Sequence, residues 1–72
     1  ELKVLLQRFR ELTPKQIQVL SYLRAGLMNK QIAHEMNVTE ATIKAHISAI
    51  LRKLEINTRT QAVLLMDKLQ LS

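Results

Sequence analysis

One proline and one glycine are the only strong chain breakers in 72 residues. Strand-rich folds need turn formers at short intervals, so a chain this poor in them is left with helices joined by tight connections. Leu, Ala, Gln and Lys are plentiful and propagate helices well. Capping residues must then mark where helices begin. Leu12-Thr13-Pro14-Lys15-Gln16 opens one helix. Thr13 caps it, Pro14 stands where a missing N–H costs nothing, Gln16 completes a capping box, and Leu12 is expected to staple onto Ile17. Gly26 stops that helix, with Leu27 folding back on its last turn. Asn29 is expected to cap a short helix over 30–36, which Asn37 ends in a left-handed conformation. Thr39 caps a longer helix over 40–54 and sets Glu40 at the positive end of its dipole. Thr58 and Gln61 form a second capping box for a helix from 59 to about 69.

Apolar spacing assigns an inner face to each helix. The first presents Ile17, Leu20 and Leu23, with Val19 and Tyr22 beside them. The short helix presents Ile32, Ala33 and Met36. The long one carries Ile43, Ile47, Ile50, Leu51 and Leu54 as one stripe. Val38, in the turn 37–39, is expected to fill a corner against Ile32, Ile43 and Ile47. The last helix carries Ala62, Val63, Leu65, Met66 and Leu69, more than one stripe needs. These residues either all pack inward or leave Ala62, Val63 and Met66 for a two-fold contact. Ahead of them, Leu2, Leu5, Leu6 and Phe9 recur at helical spacing, so residues 1–11 read either as a helical extension or as a linker. Residues 12–72 read as one all-α domain.

Eleven Lys and Arg against six Asp and Glu leave a net charge of +5. A folded chain with that imbalance suits a polyanionic partner, most simply nucleic acid. Cysteine is absent, which removes disulfides, thiolate zinc sites and a cysteine nucleophile. His34 and His46 find no third ligand at suitable spacing. No glycine-rich phosphate loop is possible around a lone Gly26, and Ser48 has no base to activate it. We therefore expect no enzyme, no metal and no cofactor. No apolar run nears the roughly 18 residues of a membrane span, so a soluble cytoplasmic domain away from membranes is expected.

The long helix carries the functional signal. Opposite its apolar stripe lie Ala41, Lys44, Ala45, Ser48 and Arg52. A solvated face more often carries long charged side chains. Small residues flanked by cations suit a helix that another body must approach closely. The major groove of duplex DNA admits a helix, and there Lys can donate to guanine, Ala can touch a thymine methyl, and Ser can donate or accept. A short helix, a three-residue turn and a longer helix also form a helix-turn-helix, whose second helix enters the groove while the first crosses the backbone.

The strings Leu12-Thr13-Pro14, Val19-Leu20, Gly26-Leu27-Met28-Asn29-Lys30-Gln31-Ile32-Ala33, Val38-Thr39-Glu40-Ala41-Thr42-Ile43-Lys44-Ala45-His46, Ile50-Leu51-Arg52-Lys53-Leu54 and Arg59-Thr60-Gln61-Ala62 resemble the LuxR-type DNA-binding domain. The resemblance is nearest to output domains of NarL/FixJ-type bacterial response regulators and covers residues 12 to about 66. It implies a four-helix helix-turn-helix domain that regulates transcription in a two-component system, as a homodimer on double-stranded DNA. It also implies an N-terminal regulatory domain outside this chain. The positions of Lys44, Ala45 and Ser48 are where that family reads bases. Lys30, Thr39, Thr42, His46, Arg52 and Arg59 resemble positions that hold phosphates, and the last helix resembles the dimerisation helix, with Ala62, Val63 and Met66 as candidates. Ser48 stands where Lys can occur, Gln16 and Gln18 replace acidic residues, Asn37 replaces a turn glycine, and Glu55 stands where Gly is frequent. A structural role for His46 and a purely local capping role for Thr39 remain open. Two rival functions also stand: a sigma-factor region-four domain, and a helical protein-interaction module.

Overall fold

Three of the four capping signals act as the sequence predicts. Thr13 Oγ1 accepts from the Gln16 N–H at 3.1 Å, and Gln16 Oε1 accepts from the Thr13 N–H at 3.0 Å. Thr58 and Gln61 repeat that exchange, and Thr39 Oγ1 accepts from the Thr42 N–H at 3.2 Å. The computed structural model describes residues 2–69, which form five helices: α1 (Leu2–Arg10), α2 (Pro14–Arg24), α3 (Asn29–Met36), α4 (Glu40–Leu54) and α5 (Arg59–Lys68). Glu1 and residues 70–72, assigned above to the N-terminal segment and to the domain's end, lie outside the described residues, as does the side chain of Leu2.

Asn29 is the exception. The short helix starts one residue earlier than expected, with Met28 at the cap. The Met28 N–H donates to Gln31 Oε1 at 2.7 Å, so Asn29 is not needed as the cap and its carboxamide turns elsewhere.

Helices α2, α3 and α4 end in one shared device. A left-handed residue follows each: Gly26 (φ 90°), Asn37 (φ 59°) and Glu55 (φ 56°). The next N–H reaches back across the last turn, Leu27 to Tyr22 O, Val38 to Ala33 O and Ile56 to Leu51 O, at 2.9–3.1 Å. These bonds satisfy carbonyls that a helix end would otherwise strand. Glu55 holds this conformation at a cost of about 1–2 kcal/mol. Its exposed ion pair with Arg8 at 3.3 Å returns little of it. Glu55→Gly should therefore stabilise the fold by about 0.5–1 kcal/mol and raise its melting midpoint by roughly 2–8 °C. A midpoint that falls would show that the Arg8 contact outweighs the backbone strain.

α4 is the central element, packing against each of the other four helices. Ile43, Ile50 and Leu54 from α4 are fully buried together with Val19 and Leu20 of α2 and Ile32 of α3. Each such side chain contributes about 1.5–3 kcal/mol through removal from water. The N-terminal segment is a helix docked on α4, with Phe9 in the core. Lys53 Nζ, near the end of α4, donates to Glu11 O at 2.9 Å and Gln16 Oε1 at 3.1 Å, which locks the α1–α2 corner.

Three expectations about burial need correction. Ile17 is 45% exposed, so it neither faces inward nor staples Leu12; α2 buries Gln16, Val19, Leu20 and Leu23 instead. Polar Gln16 can occupy that face because both Thr13 and Lys53 donate to its side chain. Val38 is 37% exposed and lies outside the core. Its helix-ending bond reaches back to Ala33, whose methyl offers a following side chain little to pack on. Ala62 (0%) and Met66 (5%) are buried in the chain's own core, so they have no surface to offer a second copy. Val63 is half-buried, and Leu64 is the apolar residue that α5 exposes.

Candidate nucleic-acid interface

The stripe that anchors α4 also determines what it shows to solvent. With Ile43, Ile50 and Leu54 facing the core, Ala41, Lys44, Ala45, Ser48 and Arg52 are exposed on the opposite side. Among the described residues, the side chains of Lys44, Ser48 and Arg52 enter no hydrogen bond or ion pair within the chain, so their polar ends are available to a partner. The three short side chains on this face let the helix backbone come close to another body. A helix with side chains is about 10–12 Å across, close to the 12 Å width of the major groove.

The front end of α4 supplies a second group. Thr39 caps the helix, and its hydroxyl lies 3.0 Å from the Thr42 hydroxyl. Both stand at the positive end of the helix dipole, a natural place for a phosphate oxygen. The turn before them is held by left-handed Asn37 and connects directly to α3. Lys30 is exposed in the first turn of α3. His46 is half-buried on the flank of α4, between stripe and outer face, and its imidazole has no hydrogen-bond partner among the described residues.

Arg59 occupies a different setting from the other expected phosphate contacts. Its guanidinium donates to Asn29 Oδ1 and Leu27 O, inside the chain. Neither this strap nor the Lys53 clamp carries a sequence signal, because their partners lie 30 to 42 positions away. Among the described residues, no three His, Cys, Asp or Glu side chains gather as a metal site requires, and no helix is long and apolar enough to cross a membrane.

Comparison with known proteins places this surface in context. The sequence profile described as bacterial regulatory proteins, luxR family, matches residues 10–66. The glycerol metabolism activator of Pseudomonas putida is 53% identical over 53 residues, covering 74% of this chain and 24% of that protein. The nitrate/nitrite response regulator protein NarP of Escherichia coli is 46% identical over 57 residues, covering 79% of this chain and 26% of that protein. The chain thus spans about a quarter of the length of these relatives. The solved structure of the response regulator StyR superposes with a TM-score of 0.84 at 42% identity, covering 89% of this chain and 32% of that one.

Proposed function

From the premise that the chain belongs to the luxR family of bacterial regulatory proteins, we propose that it is a DNA-binding output domain that reads duplex sequence with the outer face of α4. Membership separates this reading from the sigma-factor alternative. The observation that carries it is the division of α4 into a stripe anchored by fully buried Ile43, Ile50 and Leu54 and an exposed face of small and cationic side chains. On this reading Lys44, Ala45 and Ser48 touch base edges in the major groove. Lys30, Thr39, Thr42, His46 and Arg52 fix the register through phosphates, which carry no sequence information themselves.

The similarity to response regulators supports a role in a two-component system, in the cytoplasm, with a regulatory domain elsewhere in the full-length protein. The apolar surface left on α5, exposed Leu64 with half-buried Val63 beside it, is where two copies would meet on paired half-sites.

Selection of bound duplexes from a random pool tests base choice and symmetry together. On a selected site, Lys44→Ala should weaken binding by about 1–3 kcal/mol and relax preference at one base pair. Unchanged affinity and preference would remove Lys44 from the interface.

A further inference from the structure

Arg59 opens α5, and its side chain reaches back to where α3 begins. Nη1 donates to Asn29 Oδ1 at 3.1 Å and Nη2 to Leu27 O at 3.4 Å. One planar guanidinium thereby ties the first turn of α5 to the connection that leaves α2 at Gly26 and starts α3. That connection needs an external anchor. α3 is only eight residues long, and its cap residue, Met28, brings no side-chain oxygen to its first N–H groups. A two-turn helix holds its place by tertiary contacts, not by its own propensity.

The strap lies beside groups assigned above to DNA. Arg59, Asn29 and Lys30 line one open concavity of about 690 Å³, together with Glu40 from the first turn of α4. Lys30 directly follows Asn29, and α3 packs on α4. Fixing Asn29 therefore fixes the start of α3 and the base of the Lys30 side chain.

We propose that Arg59 is a positioning residue for duplex binding: its bidentate strap to Asn29 and Leu27 holds the first turn of α3 at the angle where Lys30 and α4 meet the same duplex. The inference rests on the DNA-binding reading above. It assigns Arg59 a role through Asn29 in place of a phosphate contact, and it makes the start of α5 part of the reading head. A lysine cannot replace it, because one ammonium lacks the fork that spans two acceptors.

The test is a duplex titration over a series of salt concentrations with the wild type, Arg59→Ala, Arg59→Lys, Asn29→Ala, the Arg59→Ala/Asn29→Ala double variant and Lys30→Ala. Circular dichroism melts set an assay temperature at which every protein compared is folded. Arg59→Ala, Arg59→Lys and Asn29→Ala should each weaken binding roughly 5- to 30-fold. The double variant should lose no more than the weaker-binding single variant, because both remove one contact. Their salt slopes should stay at the wild-type value, whereas Lys30→Ala should lower the slope by about one. Wild-type affinity in Arg59→Lys, or a reduced slope in Arg59→Ala with Asn29→Ala silent, would make Arg59 a phosphate ligand and overturn the proposal. Normal binding by all the strap variants would overturn it while leaving the DNA-binding reading intact. Failure of the wild type to bind any duplex would overturn both.

Discussion

Ile50→Ala is expected to remove about 3–4 kcal/mol of folding stability, because it empties a fully buried site at the centre of α4. A domain of this size has only about 4–11 kcal/mol to lose. The melting midpoint should fall by roughly 15–30 °C. α4 touches every other helix, so the surrounding side chains cannot collapse into the gap without moving two or more elements. Ile47→Ala on the half-buried flank should cost about half as much, and Ser48→Ala on the outer face less than about 0.5 kcal/mol. Chemical denaturation of the three variants checks the gradient. Equal losses at positions 47, 48 and 50 would contradict the division of α4 into a buried and a presented side.

Raising salt from 50 to 200 mM is expected to weaken duplex binding by roughly 15- to 60-fold. Lys30 and Arg52, the cations assigned to phosphates, would neutralise about two phosphates, and Lys44 in the groove adds at most about one more, while the uncharged hydroxyls of Thr39 and Thr42 would bond phosphates without releasing counterions. Log affinity should then fall against log salt with a slope near −2 to −3. The steepness comes from the DNA backbone, so it should be nearly the same for a selected site and for random duplex. The two should differ instead by a constant factor that reports on Lys44, Ala45 and Ser48. Fluorescence anisotropy at four or five salt concentrations suffices. A slope shallower than about −1 would mean that most of these cations lie away from the duplex.

Local signals made most of this fold legible. The bounds of α4 follow from Thr39 at its front and from the change of pattern at Glu55, and both act within three residues of the backbone they control. Its outer face follows from the inner one, because helical spacing leaves no freedom once Ile43, Ile50 and Leu54 are buried. Long-range partners stayed hidden. Ile17 outranks Gln16 on hydrophobicity alone, yet Lys53 from the far end of α4 makes Gln16 the better core residue. Asn29 looks like a cap until Arg59, 30 residues on, takes its side chain. α5 has apolar residues on several sides, so its pattern could not say which face turns inward. The burial of Ala62 and Met66 decides that, and it moves any two-fold contact toward Val63 and Leu64.

The claim that α4 enters the groove is tested most directly by amide chemical-shift mapping during titration with a duplex at low salt. The account predicts that residues 41–48 shift first and furthest, with Lys30 and Thr39 following and the α1 surface around Val4 nearly still. Shifts concentrated on α1 or on the outer face of α5, with α4 unmoved at saturating duplex, would contradict it.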